Sequence, residues 1–230
     1  MPASVHAEMV EFPCNGSPMP GYLARPEGQG PFPGVIVVQE WWGLDDHIKD
    51  VARRFAAEGF AALAPDLYRG KVTAEPDEAQ KLMMALDMNR AGQELVKAAD
   101  YLASQPFLRG RGIGAIGFCM GGGLALTLAC ESPHIRAAAP FYGANPNPVD
   151  KVQHLRGPVL VVHAEHDGWV NAQVREQLVQ ALTRHGKQHE VHVYPGTHHA
   201  FFNDTRAETY HPEAAADAWS RVLALFRQHL

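Results

Sequence analysis

The Gly-Phe-Cys-Met-Gly segment at residues 117–121 constrains the fold of this chain more than any other feature. A cysteine stands at the centre of a G-x-nucleophile-x-G pattern, between an apolar run at 112–116 and a run of small residues at 121–129. This pattern predicts a strand, a sharp turn and a helix, with the cysteine exposed at the turn. Glycines on both sides let the strand and helix approach each other closely, because they lack a Cβ. Alone, the pattern is equally typical of an ordinary tight turn.

Strand-like and helix-like segments alternate along the chain. We predict strands at 34–39, 61–64, 112–116, 137–142, 158–164 and 190–194, and helices beginning near 45 and covering 90–104, 121–129, 174–182 and 214–226. Repeated strand-then-helix units predict an α/β fold, with a doubly wound, mostly parallel sheet and helices on both faces. No linker, repeat or low-complexity tract marks a boundary, so residues 1–230 are expected to form a single domain.

Composition excludes several classes of function. The net charge of −5 argues against a nucleic-acid partner, because binding phosphates requires a basic face. No apolar run approaches the roughly 20 residues that cross a bilayer, and the N-terminus has no signal-like pattern, so we expect a cytoplasmic protein without a membrane partner. A monomer or a small homo-oligomer is expected. Three cysteines disfavour a disulfide framework, and we expect Cys14 at the surface or in a turn and Cys130 in the core.

An acidic candidate follows a later strand. Residues 158–164 are almost continuously apolar, which predicts a buried parallel strand, and Asp167 lies just beyond its end. In chains with this kind of elbow, the nucleophile is followed along the sequence by an acid and then by a histidine. Asp167 is therefore the candidate acid. The alternative is that Asp167 is only a turn residue ahead of Gly168.

Two adjacent histidines lie where the third partner is expected. His198 and His199 follow the strand predicted at 190–194, on a loop that begins with a Pro-Gly pair. Neighbours on an extended loop point in opposite directions, so only one of the two can face Cys119. The spacing does not decide which one.

The chain resembles the dienelactone hydrolase family from about Val35 to Phe226. The matching segments are Gln39-Glu40 after one strand, Ala64-Pro65-Asp66-Leu67-Tyr68 after the next, the cysteine elbow, and a Tyr-Pro-Gly-x-x-His-Ala-Phe motif at 194–201. The resemblance implies an α/β-hydrolase fold and a carboxymethylenebutenolidase-like hydrolase of small esters or lactones. In the family the histidine of the last motif is the base, which here is His199, and His198 is then an exposed loop residue.

The chemistry expected of these residues is that of a Cys-Asp-His triad with a covalent acyl-enzyme. Only the thiolate attacks, so Cys119 needs His199 to take its proton, and Asp167 would orient the imidazole. The tetrahedral oxyanion needs two donors, for which the backbone N–H groups of Met120 and Trp41 are the candidates.

Glu40 is a fourth candidate catalytic residue. It precedes two tryptophans, and desolvation there should raise its pKa. The resemblance implies that it contacts the cysteine and takes part in its activation when substrate binds. The alternative is that Glu40 only makes backbone hydrogen bonds to its own loop.

The substrate pocket is less constrained by the sequence. Trp42 and Phe201 are candidates to line an acyl pocket. Dienelactone-opening relatives hold the substrate carboxylate with arginines, but this chain has Asn203 at one of those positions and no arginine at 75–80. We therefore expect a small ester or lactone, with Arg206 or Arg69 as the nearest possible substitutes.

Metal and cofactor sites are not expected. His163 and His166 form an H-x-x-H pair, but no neighbouring cysteine or carboxylate set completes a metal site. Two other functions remain open beside hydrolysis. A thioesterase or acyl-transfer enzyme could use the same triad, and a non-catalytic, redox-responsive protein could use Cys119 as an oxidation sensor.

Overall fold

The computed structural model describes residues 4–230, which form eight strands and six helices. The strands are β1 (Val5–Cys14), β2 (Ser17–Pro26), β3 (Phe32–Val38), β4 (Ala61–Pro65), β5 (Leu108–Phe118), β6 (Ile135–Phe141), β7 (Val159–His166) and β8 (His189–His198). The helices are α1 (Asp46–Ala57), α2 (Pro76–Ala85), α3 (Met88–Ala103), α4 (Met120–Glu131), α5 (Ala172–Arg184) and α6 (Pro212–His229), and a short 3-10 helix covers Val149–His154.

All eight strands belong to one sheet with the order β1-β2-β4-β3-β5-β6-β7-β8. Strands β3 to β8 are parallel, while β2 pairs antiparallel with both β1 and β4. The mostly parallel, doubly wound α/β-hydrolase fold predicted from the sequence is confirmed. Because the carboxyl ends of parallel strands lie at one edge, this edge gathers the loops that carry the candidate site.

Helices cover both faces of the sheet, and an apolar core lies under each layer. In one core, side chains from one face of β3, β5 and β7 pack against α3, α4 and α5. In the other core, side chains from the opposite face of the sheet pack against α1 and α6. Helix α1 begins where the sequence predicts, because the Asp45 side chain accepts from the N–H of Ile48 at 3.0 Å. Within residues 4–230, no helix combines the length and apolarity needed to cross a bilayer.

The N-terminal hairpin of β1 and β2 is absent from the sequence prediction. Its turn is formed by Asn15 and Gly16, both with positive φ, and an Asn-Gly pair is a strong hairpin signal that could have revealed it. The hairpin also corrects the expectation for Cys14, whose side chain is buried against the core at the end of β1. Cys130 is buried as predicted.

Helix α2 is a second unpredicted element, and it is loosely packed. Ala79 is its buried residue, while Met84 is 77% exposed. The segment before the helix is attached to the loop after β3, because the N–H of Thr73 donates to the carbonyl of Trp42 at 3.0 Å. As a result, α2 lies over the edge where the strands end.

Candidate active site

Cys119 occupies a strained turn between β5 and α4. Its φ of 55° and ψ of −121° are angles that a residue with a Cβ rarely adopts. The flanking glycines are required: a Cβ on Gly117 would lie 2.0 Å from the carbonyl oxygen of Gly121, and one on Gly121 would lie 2.3 Å from that of Gln39. The predicted elbow is present, and it presents Cys119 at the edge of the sheet.

A cavity of about 330 Å³ lies over this elbow. Its lining consists of Glu40, Trp41, Trp42, Pro76, Met83, Cys119, Trp169, His199, Ala200, Arg206, Glu208 and Thr209. Three tryptophans form a continuous edge-to-face wall, with Trp41 4.9 Å from Trp42 and 5.9 Å from Trp169 between ring centroids. The cavity is therefore mainly apolar, with a few polar groups that converge near the cysteine.

Asp167 and His199 form a hydrogen-bonded pair beside the cavity. The Nδ1 atom of His199 lies 2.9 and 3.0 Å from the two carboxylate oxygens of Asp167. The N–H groups of Trp169 and Val170 also donate to Asp167, at 2.8 and 2.9 Å. Burial opposes ionisation of this carboxyl, but the hydrogen bond and charge of His199, with the two N–H groups, outweigh it and lower the pKa of Asp167.

The Nε2 atom of His199 is buried and has no hydrogen-bond partner among residues 4–230. The backbone N–H groups of Met120 and Trp41 instead lie beside the Cys119 sulfur. Burial, followed by the nearby charge of Glu40, raises the pKa of the Cys119 thiol to about 12, and the two N–H groups oppose this rise. In this state the sulfur is a neutral thiol beside the two N–H groups and is not bonded to the imidazole.

Glu40 lies at the end of β3 and is 1% exposed. The Nδ2 atom of Asn203 donates to its Oε2 at 2.6 Å. Burial raises the pKa of Glu40 to about 7. The hydrogen bond from Asn203 acts in the opposite direction and lowers this pKa. The charge of Asp45 raises the pKa further, and the charge of Arg206 lowers it. The Glu40 side chain thus has a partner from a distant loop, which differs from the alternative of bonds to its own loop.

Two residues expected on the pocket wall lie behind it. Phe201 is fully buried and packs against Tyr142 and Tyr194, with ring centroids 5.7 and 5.2 Å away, so it cannot contact a ligand. Asn203 is also fully buried, because its amide points inward at Glu40. Both corrections have the same cause: the loop after β8 turns back into the core beyond His199.

Trp42 does line the cavity, and Arg206 joins it there. The guanidinium of Arg206 stacks over the Trp42 ring at 3.6 Å and forms no ion pair within residues 4–230. Arg69 lies elsewhere, because its guanidinium pairs with the buried Glu94 at 2.7 Å. Of the two arginines considered from the sequence, Arg206 is the one at the cavity.

The other histidines considered from the sequence differ in burial. His163 is buried inside β7, and neither of its ring nitrogens has a partner within residues 4–230. His166 and His198 are exposed at the ends of neighbouring strands, with ring centroids 5.5 Å apart. In the described part of the chain, no group of three or more histidine, cysteine or acidic side chains could hold a metal ion.

Sequence reasoning missed several residues of this site. Trp169, which is 65% exposed, and the α2 residues Pro76 and Met83 line the cavity. Trp169 lies two residues after Asp167, and that position at a strand end could have suggested it. Nothing in the local pattern of α2 indicates that it covers a cavity, because that contact depends on the path of the loop after β4.

Comparisons with known proteins agree with these observations. The model of the dienelactone hydrolase family matches residues 19–230. "Protein usf" of Aquifex pyrophilus is 38% identical, covering 97% of this chain and 99% of that protein, and a "Putative carboxymethylenebutenolidase" of Saccharolobus solfataricus is 37% identical, covering 95% and 97%. The crystal structure of a dienelactone hydrolase-like promiscuous phosphotriesterase from metagenomic libraries is 27% identical, covers 99% of each chain and has a TM-score of 0.91.

Proposed function

The chain belongs to the dienelactone hydrolase family and is a hydrolase, and from that premise we propose that it is a cysteine-dependent hydrolase of small carboxylic esters or lactones. The observation that supports this most is the arrangement of Cys119 and His199 on one cavity, with His199 held by Asp167 and its Nε2 free. A histidine with an anchored Nδ1 and an open Nε2 has the arrangement of a general base beside a nucleophile.

In the proposed reaction, Cys119 attacks the substrate carbonyl carbon and forms a covalent acyl-enzyme. As the thiol rotates away from the two N–H groups toward Nε2 of His199, its proton passes by way of the Glu40 carboxylate to the imidazole, which later gives it to the leaving oxygen. Water, activated by the same imidazole, then releases the acid. The thiol rotation also frees the N–H groups of Met120 and Trp41, which can then bind the oxyanion of the tetrahedral intermediate.

Glu40 is proposed to take part in activating the thiol. Its charge is the second largest reason why the pKa of Cys119 is raised, after burial. When the Glu40 carboxylate accepts the thiol proton, this charge disappears as the thiolate forms, and glutamine cannot accept that proton. Glu40→Gln should therefore lower ester turnover while the fold stays intact, and an unchanged kcat/KM would remove Glu40 from the mechanism.

The cavity supports a small substrate with an apolar acyl group. Its volume of about 330 Å³ is at the low end of the range for ligand pockets, and three tryptophan side chains line it. Arg206 supplies a cation on the same wall, so a carboxylate on the substrate would have a partner there.

The test compares the wild type with Cys119→Ala and Asp167→Asn on p-nitrophenyl esters and lactones of different acyl size. We expect Cys119→Ala to abolish hydrolysis and Asp167→Asn to reduce kcat by about 10³-fold or more, because the imidazole loses its orienting acceptor. A burst of p-nitrophenol equal to the enzyme concentration would report the acyl-enzyme. Full activity in Cys119→Ala would refute the proposal.

The same experiment separates the two other functions. Faster turnover of a thioester than of the matched oxygen ester, or transfer to an added alcohol in preference to water, would favour a thioesterase or acyl-transfer enzyme. No turnover with any ester, combined with fast oxidation of Cys119 by peroxide, would favour a redox sensor. The raised pKa of Cys119 argues against the sensor, because thiols react with peroxide as thiolates.

A further inference from the structure

The amide of Asn203 has a fixed orientation in the interior. Its Oδ1 accepts from the backbone N–H of Thr205 at 3.0 Å and from the Thr205 hydroxyl at 2.7 Å. A backbone N–H can only donate, so the carbonyl side of the amide must face Thr205. The NH₂ side therefore faces Glu40, and Nδ2 donates to Oε2 at 2.6 Å.

The loop that carries Asn203 is itself anchored to α1. The next residue, Asp204, accepts from Nδ1 of the buried His47 at 3.2 Å and is bound by the guanidinium of Arg54. The N–H of Asn203 also donates to the carbonyl of Ala200 at 3.0 Å. These contacts fix the amide in place on the side of Glu40 away from the cavity.

Because the Asn203 amide is uncharged, it can bind Glu40 in either protonation state. The oxygen Oε2 can accept from the Asn203 amide as a carboxylate oxygen or as the carbonyl oxygen of the protonated acid. An arginine, which the resemblance leads us to expect at this position, would instead hold the group in its ionised form. The other oxygen, Oε1, accepts no hydrogen bond from residues 4–230, and Glu40 lines the cavity beside Cys119.

Four other titratable or charged groups surround Glu40, one from each neighbouring element. They are Asp45 at the start of α1, Arg206 in the loop before α6, Cys119 at the elbow and Tyr142 after β6. Asp45 raises the pKa of Glu40 and Arg206 lowers it, and Arg206 forms no ion pair with the carboxylate among the described residues. The direct side-chain hydrogen bond to Glu40 comes from the uncharged Asn203, which therefore determines where the carboxyl group lies.

We propose that Asn203 is a positioning residue for this reaction, holding Glu40 against the cavity while leaving it free to gain and lose a proton beside Cys119. The proposal rests on the hydrolase function proposed above and deepens it. It assigns a role in the reaction to a residue that does not contact the substrate. The proton exchange takes place at Oε1, which receives the proton of the Cys119 thiol and passes it on to His199, as in the reaction proposed above.

The first experiment measures the protonation of Glu40 directly. Protein labelled with ¹³C at the glutamate carboxyl carbon is titrated by NMR, and the Glu40 signal is assigned by its loss in Glu40→Gln. We expect the midpoint near 7 in the wild type. It should rise by about one pH unit in Asn203→Leu, which removes the donor that favours the charged form. If the leucine variant does not fold, Asn203→Ala removes the same donor without added bulk. An unchanged midpoint would overturn the proposal.

The second experiment connects this titration to the reaction. The pH at the midpoint of the acid limb of kcat/KM for p-nitrophenyl acetate should move upward together with the NMR midpoint in Asn203→Leu. In the Glu40→Gln background, the same substitution should leave that pH unchanged. If the Asn203 substitution lowers kcat/KM by the same factor at every pH, Asn203 has only a structural role, and the proposal is overturned.

A matched control removes a different buried hydrogen bond. Ser132 is fully buried at the end of α4, far from the cavity, and its hydroxyl accepts from the N–H of His134 at 3.2 Å. Ser132→Ala should leave both the NMR midpoint and the acid limb in place, and a shift there would overturn the proposal as non-specific. The NMR experiment needs no turnover, so failure of the proposed hydrolase would be seen as no ester cleavage by the wild type, separately from failure of the Asn203 proposal.

Discussion

Replacing Glu40 with glutamine should stabilise this protein at neutral and alkaline pH, although it should impair the proposed reaction. Glu40 is 1% exposed, and burial raises its pKa from 4.5 to about 7. Between these two values the folded protein keeps a proton that the unfolded chain has already released. The free energy of unfolding therefore falls as the pH rises through this range, and the loss is complete above about pH 8.

The magnitude follows from the pKa difference. A rise of about 2.5 units, at 1.36 kcal/mol per unit, corresponds to about 3 kcal/mol of stability lost by the wild type between acid and alkaline pH. Glutamine cannot ionise, and its carbonyl oxygen can still accept from Nδ2 of Asn203. We therefore expect the variant to match the wild type near pH 4 and to exceed it by about 3 kcal/mol at pH 8.

Urea unfolding of both proteins at several pH values measures this difference. Because the two chains share every other titratable group, subtraction isolates the contribution of Glu40. Glu176→Gln, on the exposed side of α5, is the control for the same chemical change without burial. A stability difference between Glu40→Gln and wild type that is constant with pH, or an equal rise in the Glu176 variant, would refute the reasoning.

Three further predictions follow from the structure. The two ring nitrogens of His163 have no partner in the described chain, and burial lowers the pKa of this imidazole to about 4. The stability that depends on neutral His163 is therefore lost as the pH falls from 6.5 to 4, a loss of about 3 kcal/mol. His163→Leu should abolish this loss in urea unfolding at acid pH, and an unchanged dependence of stability on acid pH would contradict the prediction. Arg206→Met should raise KM about 10-fold for an ester with a carboxylate and leave a matched neutral ester unaffected, whereas equal changes would exclude Arg206 as the anion contact. Gly121→Ala places a Cβ 2.3 Å from the carbonyl oxygen of Gln39, and thermal unfolding should show a loss of about 3 kcal/mol; wild-type stability would mean that the elbow can relax.

Several features of the fold were predictable because they depend on local pattern. The continuous apolar run at 158–164 predicts the buried strand β7, and the Asp45 cap predicts the start of α1. The hairpin of β1 and β2 was also encoded locally, in the Asn15-Gly16 turn. Most side chains of β1 are exposed, so this strand lacks the apolar periodicity that marks the central strands.

The sequence by itself determined the glycine-flanked elbow at Cys119, the order of the candidate residues and the parallel sheet, because each of these depends on neighbours along the chain. The tertiary structure decided which distant groups meet. It brings Asp167 against His199 at the ends of two strands, and it turns the loop after β8 so that Asn203 faces Glu40. It also places Phe201 in the core and Trp169 on the cavity. The physical reason is that a hydrogen bond of about 3 Å between residues far apart in sequence depends on how strands, helices and loops pack together, which the pattern around either residue does not record.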